Sequence, residues 1–235
     1  MNPTGYRETP LQVAGLVCAW EAALPPGADP YLQRVVPDGC MDLIWSQEGI
    51  MVAGPDTGPA PALLRPGDAM VAVRFGPGAA PPVLGVPADA VRDVRPPLRE
   101  LWGAEADRLA EAVAAARTAR ERGAVLVAAV AARAAAAGPA DPLVPAVVRG
   151  LAHGSVRAVS DELGVGERQL RRRSLAAFGY GPKTLQRVLR FQRALRLART
   201  GGPLADVAYA AGYADQAHLA HEVRDLGGEP IRALL

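Results

Sequence analysis

Two stretches decide the fold: VRAVSDELGVG (Val156–Gly166) and LADVAYAAGYA (Leu204–Ala214). Setting Gly164 on Gly212 sets Val159 on Val207, Ser160 on Ala208 and Leu163 on Ala211, a spacing of 48 residues. Each stretch reads as a short helix, a glycine, an apolar residue (Val165, Tyr213) and then a second helix. A tight helix-turn-helix needs this chemistry. The glycine takes the left-handed conformation at the corner, small residues sit where the helices cross, and apolar residues plug the angle between them.

The segment between the two units predicts a rod. Pro182 opens a helix that runs to Arg199, with proline at the position where a missing N–H costs nothing. Its apolar stripe is Leu185, Val188 or Leu189, Leu195 and Ala198, interrupted by Gln192. About 18 residues make a rod of roughly 27 Å. With the turns at its ends, it sets the second helices of the two units about 34 Å apart, one turn of B-DNA.

Charge agrees with this geometry. Net charge is only +2, but it is unevenly spread. Residues 168–199 hold ten basic side chains and no acidic one, and nine of the ten are Arg. Guanidinium forks suit phosphate oxygens and guanine edges. Residues 200–235 hold two basic and five acidic groups, so the second unit is electrostatically poor.

Upstream, proline marks a different architecture. Sixteen of the 22 Pro lie in residues 1–102, which predicts strands and turns there. Strand-forming runs lie at Leu11–Trp20, Leu32–Val36, Met41–Trp45, Ile50–Val52 and Met70–Phe75, with turns at Pro37-Asp38-Gly39 and Pro66-Gly67-Asp68. From Gly103 the composition turns to Ala, Arg and Glu. One helix is expected over 104–121 and another over 124–137, with a break at Gly123, packing on each other or on a partner chain. Gly138–Pro142 reads as a linker. The expected fold is α+β: an antiparallel β-sandwich or cupin-like domain (1–102), a helical connector (103–140) and an all-α double helix-turn-helix domain (141–235).

At these residues the C-terminal part resembles the DNA-binding domain of the AraC/XylS family of transcription regulators. Phe178–Leu185 with Arg190-Phe191-Gln192 is similar to that family's joining region, and Asp206-Val207-Ala208 with Gly212–Leu219 to its second helix-turn-helix signature. More loosely, Pro37–Ile44 and Val73–Gly78 resemble a small β-rich sensory domain that precedes this module in some members. The resemblance implies that Arg168, Arg171 and Arg172 face bases from the first unit, and Gln216, Ala217 and His221 from the second. Lys183, Thr184 and Arg187, at the start of the rod, are phosphate candidates, because helix-end N–H groups point there too. It also implies double-stranded DNA as partner, RNA polymerase as a further one and activation as the sign of regulation. Two departures stand out. The family usually carries Arg where His221 stands, and the tail Gly227–Pro230 lacks a closing aromatic.

Other chemistries find little support. His218 and His221 have helical spacing for a metal, but the only further His is His153, and residues 1–152 contain none, which argues against a metal-dependent cupin. No paired nucleophile and base and no phosphate-cradling loop are seen, so no enzyme, cofactor or metal is expected. Two Cys, Cys18 and Cys40, make no disulfide framework. Cys40 is either a reactive thiol or an inert buried one. No long apolar run suggests a membrane span, and a cytoplasmic location is expected. Trp20, Tyr31, Trp45 and Phe75, with Cys40, Asp42 and Arg74, either line a small-ligand pocket or fill a β-core, with Asp42 and Arg74 as an ion pair. The expected function is a ligand-responsive transcription regulator, which a homodimer would suit. The competing reading is a small-molecule or partner-binding protein whose helical domain has lost DNA.

Overall fold

A computed structural model of the chain describes residues 4–137 and 141–235. The first half is built on seven strands: β1 (Arg7–Pro10), β2 (Leu16–Ala23), β3 (Tyr31–Gln33), β4 (Met41–Ser46), β5 (Gly49–Ala53), β6 (Ala62–Leu64) and β7 (Ala69–Phe75). Five form an antiparallel sheet in the order β1-β2-β7-β4-β5, and β3 pairs with β6 as a separate two-stranded ribbon. The predicted runs supply β2, β3, β4, β5 and β7. The short strands β1 and β6 carry little apolar periodicity.

Register splits the large sheet into two chemical faces. Leu43 lies opposite Val73 and Trp45 opposite Val71, while Asp42 lies opposite Arg74 and Trp20 opposite Ala72. Side chains alternate along a strand. Met41, Leu43, Trp45, Val71, Val73 and Phe75 therefore share one face and the main apolar core. Cys18, Trp20, Ala22 and Ala72 share the other.

Helices cover the first face. They are α1 (Pro81–Leu84), α2 (Arg99–Trp102), α3 (Ala104–Ala115) and α4 (Ala119–Ala137), with a 3₁₀ turn at Ala88–Val91. Pro81 and Pro82 open α1 from first-turn positions, so helix appears in a stretch whose proline content predicts strands and turns. Leu98, Trp102, Leu109, Val113, Leu126 and Val130 fill the space above the sheet. The predicted break at Gly123 is displaced. Gly123 is buried inside α4, facing Val71 and Ala19, and the chain breaks at Ala116–Thr118 instead. The cause is a capping box. The Glu121 N–H donates to Thr118 Oγ1 (3.2 Å), while the Thr118 and Arg117 N–H groups donate to the Glu121 carboxylate (3.1 and 2.8 Å). Thr118→Ala should cost about 1 kcal/mol in urea unfolding; an unchanged midpoint would mean that the box does not hold α4.

The second half is all helix: α5 (Leu143–Leu151), α6 (Val156–Glu162), α7 (Glu167–Phe178), α8 (Pro182–Ala198), α9 (Leu204–Ala211) and α10 (Gln216–Gly227), then a 3₁₀ turn at Ile231–Ala233. The rod α8 passes through two cores. Leu185 and Val188 pack with α5, α6 and α7, whereas Phe191, Ala194, Leu195 and Ala198 pack with α9 and α10. Of the predicted linker, residues 138–140 lie outside the described residues. Next to them, the Asp141 carboxylate accepts from the Leu143 N–H (3.0 Å) and pairs with Arg173 (2.6 Å).

The halves dock closely. The Arg92 guanidinium donates to the Gly179 carbonyl (2.9 Å), and Gln192 Nε2 donates to the Pro37 carbonyl (2.6 Å). That contact explains the polar interruption in the rod's stripe. Gly179 has φ of 80°, and a Cβ there would stand 2.4 Å from Pro55 Cγ, so only glycine lets α7 end against the first half. Among the described residues no helix is long and apolar enough to cross a membrane.

Candidate nucleic-acid interface and ligand cavity

The two hinges match at the level of single hydrogen bonds. Gly164 and Gly212 have φ of 62° and 89°. In both, the N–H of the residue after the glycine reaches back to the preceding helix: Val165 donates to the Ser160 carbonyl (3.1 Å) and Tyr213 to the Ala208 carbonyl (2.9 Å). Val159, Ser160, Val207 and Ala208 are all buried at the crossings. Beyond the corner the second unit gains one residue. The helices start at Glu167 and Gln216 and end before the left-handed glycines Gly179 and Gly228. The equivalence there is 49 residues. Leu170 then matches Leu219 as a buried anchor, Arg168 matches Ala217, Arg172 matches His221, and Arg173 matches Glu222.

The structure places Arg168, Arg171 and Arg172 exposed on α7, and none forms an ion pair among the described residues. Gln216, Ala217 and His221 are exposed on α10, with His221 Nε2 3.7 Å from Asp225. Lys183 is exposed at the start of α8, 3.0 Å from Gln186 Oε1, and Thr184 is half-buried beside it. Arg187 departs from the phosphate role implied above. Its Nε donates to Glu222 Oε1 (3.0 Å) and its Nη2 to Asp225 (3.3 Å), which ties α8 to α10.

Glu222 is the centre of a network that sequence reasoning missed. It is 3% exposed. It accepts from Arg187 and, in a short contact, from Arg190, and lies 3.5 Å from His218 Nε2. The Arg190 guanidinium also stacks over the Tyr213 ring at 4.6 Å, and His218 meets the same ring edge-on at 5.2 Å. The ten-cation run therefore has two tasks. Arg173, Arg187 and Arg190 brace the helices, while Arg168, Arg171, Arg172, Lys183, Arg193, Arg196 and Arg199 form no ion pair among the described residues, Arg193 lying 3.3 Å from His153 Nδ1.

In the first half, a cavity of about 670 Å³ opens between the sheet face without helices and the β3–β6 ribbon. Trp20, Cys40, Asp42 and Arg74 line it. Trp45 and Phe75 do not. Strand parity puts them on the opposite face, buried in the main core, with Arg122 stacked on Trp45 at 4.7 Å. Tyr31 lies half-buried at the start of β3, outside the lining. Asp42 and Arg74 do form an ion pair, with two parallel 3.0 Å hydrogen bonds. Residues not singled out from sequence join them. Asp38 and Glu8 approach Arg74 Nη1 to 3.7 and 3.5 Å, and Tyr6 donates to Glu8. Burial pushes the Asp38 carboxyl up, with Arg74 opposing. Burial also pushes the Cys18 thiol up to about 11 and the Cys40 thiol higher still, which disfavours the thiolate at both.

Comparison with known proteins gives two family matches and some distant structural neighbours. Residues 159–235 match the family described as "Helix-turn-helix domain", and residues 14–97 match "Domain of unknown function (DUF6597)". No curated protein sequence matches the chain. Among solved structures, ToxT from Vibrio cholerae is similar in outline: 11% identity and a TM-score of 0.46 over 94% of this chain and 97% of that one for an apo form. Its unsaturated fatty acid-bound form gives 11% and 0.45 over 100% of this chain and 96% of that one.

Proposed function

We propose that this chain, whose residues 159–235 form a helix-turn-helix domain of the AraC type, places α7 and α10 in successive major grooves of one DNA site and adjusts that grip to a small ligand held by its first half. The domain makes the chain a DNA-binding transcription regulator. One observation carries the docking mode. Two hinges with the same left-handed glycine and the same backbone hydrogen bond are joined by a 17-residue rod, about 26 Å long, and leave exposed an arginine face with no ion pair among the described residues. Arg168, Arg171 and Arg172 read bases from α7, and Gln216, Ala217 and His221 from α10. Lys183, Thr184 and the start of α8 hold phosphate. Arg187 acts from behind, holding α10 on the rod.

The chain divides its labour in three. Residues 1–102 are the sensory part. The connector 103–140 supplies α3 and α4, which lie on the large sheet and complete its core. Residues 141–235 are the DNA-binding part. The chain acts in the cytoplasm, and it activates transcription by presenting polymerase with a surface next to the bound site. A second copy, where one is bound, pairs through the first half.

Titration of the full chain against DNA from its own upstream region, by fluorescence anisotropy over a salt series, tests this. Log affinity should fall against log salt with a slope steeper than about −3, because several phosphates shed counterions. A flat slope with no binding would support the reading in which the helical half no longer holds DNA.

A further inference from the structure

The charge in the cavity wall is unbalanced. One guanidinium of the lining, Arg74, meets two of its carboxylates, Asp42 through two hydrogen bonds and Asp38 at 3.7 Å without one, and a third from outside the lining, Glu8, at 3.5 Å. Asp38 Oδ1 accepts from the Cys40 N–H (2.8 Å), while its Oδ2 faces Arg74 at 3.7 Å without a hydrogen bond. The other cations of the wall do not correct this. Arg95 is paired with Asp56 (2.7 Å), Arg34 turns to the Ala233 carbonyl and Glu229, and Arg65 is exposed.

Beside the carboxylates lies an aromatic and apolar wall. Tyr6 and Trp20 have ring centroids 5.7 Å apart, tilted by 43°. Ala22, Ile44, Met51 and Met70 continue it. The cavity, at about 670 Å³, falls within the range of organic-ligand sites. An anion would meet surplus negative charge at this end. A neutral molecule would leave that charge unused. A cation placed there gains both the carboxylate and the ring faces.

We propose that the cavity binds a small organic cation with an aromatic or apolar body, its charged nitrogen set against Asp38 and its body against Trp20 and Tyr6. This rests on the reading of the first half as a ligand sensor and names the ligand class. The position of Asp38 also gives the ligand a route to the DNA-binding half. Segment 34–40 lines the cavity through Val36, Asp38 and Cys40. The same segment holds the helical half, because the Pro37 carbonyl accepts from Gln192 on the rod and Val36 packs on the core around Phe191 and Leu195. A ligand that pulls on Asp38 pulls on the rod.

Three indoles of one shape and different charge test the proposal on the full chain by calorimetry at neutral pH: tryptamine, tryptophol and indole-3-acetate. Tryptamine should bind at least about tenfold more tightly than tryptophol, and indole-3-acetate most weakly. Asp38→Asn keeps an oxygen for the Cys40 N–H and should remove the tenfold preference while leaving tryptophol unchanged. Glu8→Gln, on the exposed edge strand, should weaken tryptamine about threefold and serves if the first variant does not fold. Equal binding of the three, a preference for indole-3-acetate, or no binding at all would overturn the proposal. DNA anisotropy on the same protein without indole keeps the two readings apart. DNA binding without charge preference sinks the cation site alone; charge preference without DNA binding sinks the regulator reading and leaves the site.

Discussion

Replacing Arg171 and Arg172 together by Ala lowers specific DNA affinity about a thousandfold, while Gln216→Ala or His221→Ala lowers it less than tenfold. The asymmetry follows from the register of the repeat. Matched at 49 residues, Arg168 stands where the second helix has Ala217, and Arg172 where it has His221. Each bidentate contact of an Arg to a guanine edge is worth about 1–3 kcal/mol, so two such losses reach about 4 kcal/mol. The second helix has only a Gln and an imidazole to lose, and the imidazole already faces Asp225 at 3.7 Å. Both arginines are exposed and without an ion-pair partner among the described residues, so the double variant should melt with the parent. Anisotropy against one duplex at fixed salt reads the result. Losses of equal size from the two helices would show that the chain grips DNA evenly and that the register argument fails.

How much of this is legible in the sequence depends on how local each signal is. The hinges are readable because a left-handed glycine between two apolar residues is a one-turn event, and the chain writes it twice. Pro182 and the end of the rod near Ala198 are readable for the same reason. The Thr118–Glu121 capping box is also present in sequence, and it beats Gly123 as punctuation: a glycine facing a sheet lets a helix continue, whereas a reciprocal cap starts one. Strand parity separates Trp45 from Asp42, since they are three residues apart on one strand and so face opposite ways. Phe75 is likewise adjacent to Arg74 and cannot share its face. What no local pattern carries is pairing at long range. Gln192 reads as a flaw in an apolar stripe until Pro37 is found against it, 155 residues away. Glu222 reads as one more acid in a poor second unit until two arginines of the rod converge on it.

That convergence makes Glu222→Ala the most damaging single change expected in the helical half. Removal of one member of a buried ion cluster leaves the others without the charge that offset their desolvation, and such changes cost about 3–5 kcal/mol. Arg187 and Arg190 keep 35% and 22% of their side-chain surface, so water recovers part of the loss and the cost should lie near about 3 kcal/mol, the low end of that range. Chemical denaturation of the full chain measures it. The same change should loosen α10 on the rod, because Arg187, Arg190 and His218 all reach that helix or its hinge through Glu222 and Tyr213. Replacing the cluster as a unit, with Glu222→Leu, Arg187→Met and Arg190→Met, fills the space without stranding a charge and should recover most of the stability. It should leave the salt slope of DNA binding close to the parent's, since both arginines are engaged by Glu222. A Glu222→Ala protein within about 0.5 kcal/mol of the parent would remove the buried charge as the brace of the second unit. A triple variant with a much shallower salt slope would place Arg187 or Arg190 among the DNA-contacting residues.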